Sequence, residues 1–187
     1  ITGASKGIGE ATAEVFAREG VSTLHLTARS SDLLEALKAR IESAHDCVVH
    51  NHSLDLTDVT RRDDLIASTI DVDILVNNSG AIPSGSLEVV DDDAWRHGWE
   101  LKVFGYVNMC RRFYKHMVER GEGGSIINVG SISGLNPLSR VFTYSTTKGA
   151  VHNLSKNLAR EWAPHRVRVN ILVPGFFPAE QNRKVLT

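Results

Sequence analysis

Predicted strands and helices alternate along the whole chain, and this alternation limits the possible folds more than any other feature of the sequence. β-rich runs cover residues 22–28, 48–54, 73–77, 125–129 and 167–173. Apolar residues at helical spacing cover residues 32–44, 59–70, 92–119 and 141–163. Such alternation is typical of βαβ units, which build a parallel sheet with helices on both faces. We therefore predict a doubly wound α/β fold.

The chain has the length of one domain, since its 187 residues contain no internal repeat, linker or low-complexity tract. We predict a single domain over residues 1–187. Residues 1–3 have the pattern of the end of a strand, and the chain stops soon after the strand that ends at Val173. We expect most of a first strand and a C-terminal segment to be missing from this sequence.

Charge and composition argue against several kinds of partner. The net charge is −1, so neither nucleic acid nor an anionic membrane surface is expected to bind. No apolar run has the length of a membrane span, and Cys47 and Cys110 are too far apart for a CxxC pair. We therefore expect a cytoplasmic protein that binds no nucleic acid and no membrane.

Three glycines lie near the start of the chain, immediately before a predicted helix. Residues 2–9 have the sequence TGASKGIG, a spacing that allows a tight turn and lets the backbone approach a pyrophosphate at the helix N-terminus. A plain glycine-rich turn is the alternative for the glycines alone. The full motif, with a strand about 20 residues later, favours a dinucleotide site on a Rossmann-type fold. The predicted phosphate-binding residues are Gly3, Ser5, Lys6, Gly7, Ile8 and Gly9.

The end of the next predicted strand indicates which dinucleotide binds. NAD sites place an acidic residue there for the ribose 2′-hydroxyl. Here the strand is followed by Arg29 and Ser30, so a guanidinium is available for a 2′-phosphate, and Lys6 adds a second cation. A solvated surface role for Arg29 is the alternative. The sequence favours NADP(H) over NAD(H), with Arg29 and Ser30 among the cofactor-binding residues.

An ordered series of motifs resembles the short-chain dehydrogenase/reductase family, in its single-domain branch. After TGASKGIG come LDLTD at 54–58, NNSG at 77–80, Ser131, YSTTK at 144–148, and Pro174 with Gly175. Each motif alone is weak, but their order over nearly the whole chain is specific. The resemblance implies an NAD(P)-dependent oxidoreductase acting on CH–OH groups.

The resemblance also implies which residues contact the cofactor. Asp55 is expected to bind the adenine amino group, and residues 77–80 to run past the adenosine ribose. Pro174 and Gly175 are expected to flank the nicotinamide amide, and Lys148 to bind the nicotinamide ribose. The implied cofactor-binding residues are Asp55, Leu56, Asn77, Ser79, Gly80, Tyr144, Lys148, Pro174 and Gly175.

Tyr144 and Lys148 carry the predicted chemistry, because their four-residue spacing places them on one face of a helix. A phenol has a pKa near ~10, and a nearby ammonium group favours the phenolate. Tyr144 is expected to act as acid or base toward the substrate oxygen, which the hydroxyl of Ser131 holds. Singly, each residue could be an ordinary core or surface residue; together, at the family's spacing, they favour catalysis.

Lys102 departs from the family pattern. The family commonly has an Asn seven residues after a Trp and three before a Gly, and counting from Trp95 to Gly105 places Lys102 there. By the resemblance, that Asn kinks its helix and holds a water that contacts the active-site lysine. A lysine has no carbonyl acceptor and adds positive charge near Lys148. We therefore count Lys102 with the catalytic residues and expect it to modify catalysis.

The leading hypothesis is an NADP(H) oxidoreductase acting on a small carbonyl or alcohol. The alternative is a non-catalytic dinucleotide-binding sensor or scaffold, which only Lys102 and the abrupt termini favour. An epimerase or dehydratase of the extended branch is disfavoured, because its loop would be TGxxGxxG.

Residues 174–183 are similar to the tails of sugar and sugar-acid oxidoreductases. They suggest a polyol, sugar or sugar-acid substrate met by Gln181, Asn182 and Arg183.

Two further expectations concern assembly and metals. Residues 99–113 are apolar on more than one helical face, and the family commonly pairs this helix and the Tyr144 helix across a two-fold axis. We expect a homodimer or homotetramer. His50 and His52 share a strand face, but no third ligand is evident, so no metal site is expected.

Overall fold

The computed structural model describes residues 1–81, 84–136 and 138–176, and in them strands and helices alternate as predicted. The helices are α1 (Gly7–Arg18), α2 (Ser31–Ala44), α3 (Val59–Ser68), α4 (Asp92–Trp99), α5 (Gly105–Arg120) and α6 (Phe142–Trp162). The strands are β1 (Thr23–Ala28), β2 (Val48–Ser53), β3 (Ile74–Asn77), β4 (Gly124–Val129) and β5 (Val167–Leu172). Across these described ranges, no helix is long and apolar enough to cross a membrane.

Strand pairing is parallel throughout the described part of the chain. β1 pairs with β2, while β3, β4 and β5 pair in that order in a second sheet. Thr2 connects the two sheets: its N–H donates to the carbonyl of Val76 at 2.9 Å, and it forms an isolated parallel bridge with Thr27. The predicted Rossmann-type α/β architecture is confirmed.

Two apolar clusters attach the helices to the strands. The first joins α1 and α2 to β1 and β2, and the helical spacing of Leu34, Leu37 and Ile41 turns these side chains into it. The second joins α3, α5 and α6 to β3, β4 and β5 around Phe113 and Met117. Burying a side chain of this size stabilises the fold by about 1.5–3 kcal/mol. The clusters therefore fix the carboxyl ends of the strands, where the site lies.

The helix predicted over residues 92–119 is interrupted. α4 ends at Trp99, and Glu100–Phe104 follows a π-helical path before α5 begins. The N–H of Gly105 donates to the carbonyl of Glu100, so this turn contains one residue more than an α-helical turn. The single helix predicted from the sequence is thus corrected to two helices joined by a wide turn. Lys102 lies in the middle of that turn.

Candidate active site

A cleft runs along the carboxyl ends of the parallel strands, where ligands bind in sheets of this kind. The segments that follow all five described strands line it, together with the start of α1 and one face of α6. The predicted residues that line it are Gly3, Ser5, Lys6, Gly7, Ile8, Arg29, Ser30, Asp55, Leu56, Ser79, Gly80, Ser131, Tyr144, Lys148, Pro174 and Gly175. Lining residues that the motifs did not single out are Ala28, Leu54, Asn78, Ala81, His97, Leu101, Val129 and Gly130.

The loop between Thr2 and α1 turns on its glycines. Gly3 and Gly7 have φ angles of 66° and 62°, a left-handed conformation that other residues rarely adopt. A Cβ on Gly9 would lie 2.3 Å from the carbonyl oxygen of Gly3, so α1 reaches the loop only without a side chain there. Gly9 therefore packs against the loop, and the first residues of α1 line the cleft. A helix N-terminus in this position suits a pyrophosphate.

Asn78 holds this loop to β3. Its Nδ2 donates to the carbonyls of Thr2 and Gly3, both at 3.1 Å, and its N–H donates to the Thr2 hydroxyl at 2.9 Å. Asn77, by contrast, is buried and donates to Oδ1 of Asn128 at 2.9 Å, since alternation along β3 turns its side chain away. The Asn77 side chain therefore links β3 to β4, and the cofactor contact predicted for Asn77 stays a prediction.

Arg29 and Asp55 face each other at the ends of β1 and β2. The Arg29 side chain is 74% exposed, and its Nη1 lies 3.9 Å from Oδ2 of Asp55. Oδ1 of Asp55 accepts the N–H and the hydroxyl of Thr57 at 2.9 and 2.8 Å. Burial acts to raise the pKa of the Asp55 carboxyl, but these hydrogen bonds and the Arg29 charge lower it overall. An ion pair of this length and exposure contributes little to stability, so Arg29 can still bind another anion.

Tyr144 and Lys148 project from the start of α6 into the other end of the cleft. Nζ of Lys148 lies 5.7 Å from the centre of the Tyr144 ring and donates to the carbonyl of Val129. Burial, and then the charge of Lys102, lower the pKa of the Lys148 ammonium group to about 7. Lys148 therefore holds its proton weakly near neutral pH.

The phenol of Tyr144 is protonated at neutral pH. Burial raises its pKa, and a hydrogen bond with the Ser131 side chain lowers it only in part. From the sequence, the nearby ammonium group was expected to lower the pKa of Tyr144, and the direction of this expected shift is corrected. Burial also lowers the pKa of Lys148, so this lysine carries only part of a positive charge near neutral pH. A protonated phenol in this position can donate to a carbonyl oxygen.

Ser131 lies where the chain leaves β4 and enters a 3-10 turn, Ile132–Gly134. Its Oγ lies 2.9 Å from Oγ of Ser133 and accepts the Ser133 N–H at 3.2 Å. Its own N–H donates to Nε2 of His152 at 3.2 Å. Ser133 and His152 were not predicted as site residues. His152 could have been found from its spacing, because it lies one turn after Lys148 on the face that Tyr144 and Lys148 share.

Lys102 is completely buried, and its Nζ has no hydrogen-bond partner among the residues that the structure describes. This amine lies 5.8 Å from the centre of the Tyr144 ring. The carboxylate of Glu100, two residues earlier in the chain, pairs instead with the buried Arg62 at 2.8 Å. Burial lowers the pKa of the Lys102 ammonium group to about 8. Lys102 thus faces Tyr144 from the protein interior and does not border the cleft.

Gly98 allows α4 to approach α6 beside Lys102. A Cβ on Gly98 would lie 2.5 Å from Cγ2 of Thr143 and 3.6 Å from Nζ of Lys102. Gly98 belongs to α4 and Thr143 to α6, so the two helices approach closely at this point. A glycine one turn before the lysine therefore lets the two helices pack closely beside the amine.

The histidines of β1 and β2 stand apart from the cleft. His25 lies opposite His50 in the strand register, and its Nδ1 is 3.0 Å from Nε2 of His52. Burial, and then the charges of His52 and His50, lower the pKa of His25 to about 4. Within the described ranges, no group of three or more His, Cys, Asp or Glu side chains is arranged to hold a metal ion.

The predicted substrate contacts Gln181, Asn182 and Arg183 lie outside the described residues.

Comparison with known proteins gives the family. Residues 1–187 match the sequence profile described as short chain dehydrogenase. Galactitol 2-dehydrogenase (L-tagatose-forming) from Cereibacter sphaeroides is 34% identical over 193 residues, covering 99% of this chain and 73% of that protein. Glucose 1-dehydrogenase from Gluconobacter oxydans (strain 621H) is 35% identical over 183 residues, covering 94% of this chain and 67% of that protein.

A solved structure gives the same result. The short-chain dehydrogenase from Sphingobium yanoikuyae in complex with NADPH has a TM-score of 0.89 and 31% identity, covering 94% of this chain and 69% of that one. This chain belongs to the short chain dehydrogenase family. The predicted family and the predicted enzyme class, an oxidoreductase acting on CH–OH groups, are confirmed.

The family's cofactor is a nicotinamide dinucleotide, and the residues of the cleft fit it. The left-handed glycines and the close approach at Gly9 leave the start of α1 accessible, as a pyrophosphate requires. Arg29 is an exposed cation beside the same cleft. Tyr144 and Lys148 lie at its other end, where the nicotinamide half would be held.

Proposed function

We propose that this chain is an NADP(H)-dependent oxidoreductase that interconverts the carbonyl and alcohol forms of a small polar substrate. The observation that carries the proposal is the convergence of Ser131, Tyr144 and Lys148 at one end of a cleft whose other end holds the glycine loop and Arg29. When bound, the dinucleotide supplies or accepts the hydride. The protein's own residues bind, orient and exchange the proton.

Ser131, Tyr144 and Lys148 have distinct roles in this proposal. The hydroxyl of Ser131 holds the substrate oxygen next to the phenol. In reduction, Tyr144 donates its phenolic proton to that oxygen, and in oxidation it accepts the alcohol proton. Lys148, whose proton is weakly held near neutral pH, stabilises the phenolate through its charge and returns a proton to it.

The preference for NADP(H) rests on cations at the adenosine end of the cleft. Arg29 is exposed and only weakly engaged by Asp55, and Lys6 lines the same cleft. Both can pair with a 2′-phosphate, for which a guanidinium offers bidentate geometry. The NADPH complex of the Sphingobium yanoikuyae relative supports this choice.

Lys102 is proposed to act on the reaction through Tyr144 and Lys148. It reaches neither the cleft surface nor a substrate, since it is completely buried. When protonated, its charge favours the phenolate of Tyr144 and opposes protonation of Lys148. Under this proposal it replaces the family's amide and changes the pH at which the tyrosine works.

The proposed substrate is a polyol, a sugar or a sugar acid. The names of two relatives, a galactitol dehydrogenase and a glucose dehydrogenase, support this class. The test is oxidation of polyols, sugars and sugar acids with NADP⁺ and NAD⁺, and reduction of the corresponding carbonyls with NADPH and NADH. Turnover confined to bulky apolar ketones rules out this substrate class.

The same assay separates the enzyme from a non-catalytic sensor or scaffold. A protein that binds NADPH tightly but turns over none of the carbonyls or alcohols fits the sensor.

The proposal also includes a single domain over residues 1–187, a homodimer or homotetramer, and a cytoplasmic location. Light scattering tests the assembly.

A further inference from the structure

His152 supplies a hydrogen-bond acceptor behind the catalytic serine. α6 presents Tyr144, Lys148 and His152 at successive four-residue intervals, so the three side chains share a face. The imidazole is buried, and its Nε2 accepts the N–H of Ser131 at 3.2 Å. A Cβ on Gly130 would lie 2.4 Å from this nitrogen, so the glycine before Ser131 lets the ring reach the backbone.

The backbone around Ser131 shows why this acceptor matters. The N–H groups on either side donate to β5 and the segment after it: Gly130 to Leu172 at 2.7 Å and Ile132 to Pro174 at 3.0 Å. Successive N–H groups of an extended chain point in opposite directions, so the N–H of Ser131 points toward α6. His152 is the partner that the structure gives to this buried group. Without it, a buried N–H would lack an acceptor.

We propose that His152 is a positioning residue: its neutral imidazole fixes the backbone of Ser131, and its protonation releases the serine from the substrate oxygen. This inference rests on the proposed function, since it assigns Ser131 the role of holding that oxygen. Neutral imidazole accepts through Nε2 when its proton is on Nδ1, whereas imidazolium accepts through neither nitrogen. The enzyme therefore has an acid-side switch at His152.

The groups around His152 favour its neutral form. Lys148 lies one turn before it and Lys156 one turn after it, and both cations oppose protonation. Burial opposes it more strongly, so the pKa of His152 lies below its ordinary value. From the neighbouring chain segment, the N–H of Ser131 and the Gly130 backbone face the ring, and neither carries a charge. The serine is thus held at neutral pH and released in acid.

Three variants test the proposal. His152→Gln keeps an acceptor that does not titrate, and His152→Leu removes the acceptor. His116→Gln replaces an exposed histidine of α5 and serves as the matched control. On a turned-over substrate, His152→Leu is expected to lower kcat about tenfold at neutral pH, the effect of one lost buried hydrogen bond, and this deficit is expected to shrink in acid, where wild type loses the same acceptor. His152→Gln is expected to keep most of kcat at neutral pH and to lose less activity than wild type in acid.

A nitrogen-15 NMR titration of the imidazole rings provides a readout that needs no turnover. His152→Gln identifies the His152 signals, which are expected to show an unprotonated Nε2 and to titrate below the ordinary histidine pKa. A protonated Nε2 at neutral pH, or a titration at or above that pKa, overturns the proposal. So does wild-type kcat in His152→Leu across the pH range. If no substrate is turned over, the proposed function fails, while the NMR result still decides whether His152 holds the serine backbone.

Discussion

Lys102 holds its amine 5.8 Å from the centre of the Tyr144 ring, in the protein interior. Lys148 approaches the same ring to 5.7 Å. Each amine, when protonated, favours the phenolate over the phenol. Since the pKa of Lys102 is lowered to about 8, its contribution to the positive potential at Tyr144 declines as the pH rises through that value.

Replacing Lys102 by Met removes this charge and is expected to raise the pH optimum for alcohol oxidation. Lys102→Asn is expected to shift the optimum in the same direction, because it too removes a cation that favours the phenolate. The measurement is kcat against pH from about 6 to 10 for wild type and both variants. The exposed Lys115→Met on α5 is the control. Superimposable rates and profiles would falsify a catalytic role for position 102.

The same variants change stability with a defined sign. The unfolded chain has a lysine pKa of ~10.4, whereas the folded value for Lys102 is about 8. Between these values the unfolded state binds more protons, so wild-type stability rises with pH across this window. Lys102→Met removes the buried amine and this dependence. Its melting temperature is expected to exceed that of wild type most clearly at or below neutral pH, and the difference is expected to shrink toward pH ~10.

Gly98→Ala is expected to push α4 away from α6 beside Lys102 and to destabilise the protein. The new Cβ would lie 2.5 Å from Thr143 Cγ2, and such overpacking costs about 1–3 kcal/mol. Gly149→Ala is the matched control, because its Cβ would meet only the carbonyl oxygen of Gly134 at 3.5 Å. Chemical unfolding and the pH profile of kcat measure both effects. Equal stability of the two variants would show that the fold accommodates a Cβ at position 98 without cost.

Tyr144→Phe is expected to lower kcat at least ~100-fold while NADPH binding stays unchanged, because only the phenolic hydroxyl, which carries the exchangeable proton, is lost. The ring remains, and with it the contacts to Lys102 and Lys148. Tyr114→Phe, which loses a hydroxyl near His165 on the outer side of α5, controls for general effects of removing a phenol. Near-wild-type kcat in Tyr144→Phe excludes the tyrosine as the acid.

Most of the cleft could be predicted from the sequence, because its residues lie at the ends of strands. Gly3, Arg29 and Ser131 are far apart in the chain, yet parallel strands with helical crossovers bring their carboxyl ends to one edge. Motif spacing then identified the pair Tyr144 and Lys148. Local pattern and a general rule of topology were sufficient here.

Other features depend on tertiary structure and could not be predicted. Apolar periodicity does not reveal the extra residue of the π-helical turn at Glu100–Phe104, since the same side chains are apolar in either helix type. The rise in the Tyr144 pKa results from burial, which only the packed structure defines. Asn77 and Asn78 are adjacent in one motif, and only the structure at the end of β3 shows which of them binds the glycine loop.

Arg29→Ala is expected to weaken NADPH binding about tenfold and leave NADH binding unchanged, because only NADPH carries the 2′-phosphate. A hydrogen bond to a charged group contributes about 1.5–3 kcal/mol, and the exposure of Arg29 places it near the lower end. Fluorescence titration of both cofactors measures the dissociation constants. Arg18→Ala, an exposed arginine at the end of α1, is the control. Equal constants for the two cofactors in wild type contradict the NADP(H) preference.

Phe104→Glu is expected to dissociate the proposed homodimer or homotetramer. Phe104 is 53% exposed on the π-helical segment and borders a groove with Trp95 and Trp99. The apolar side chains predicted to need a partner divide in the structure: Tyr106, Met109 and Phe113 are buried, and Phe104 is left at the surface. A second copy that covers this aromatic surface would bury Phe104, and a carboxylate at this position would lose its solvation in the interface.

Light scattering at micromolar concentration gives the mass of wild type, Phe104→Glu and the control Leu33→Glu, which alters an exposed leucine on α2. Wild type and Leu33→Glu are expected to be oligomeric and Phe104→Glu monomeric. Because Glu100 and Lys102 share this turn with Phe104, kcat of the monomeric variant also shows whether the π-helical turn keeps its shape without a partner. A monomeric wild type contradicts the assembly, and an oligomeric Phe104→Glu places the interface on another surface.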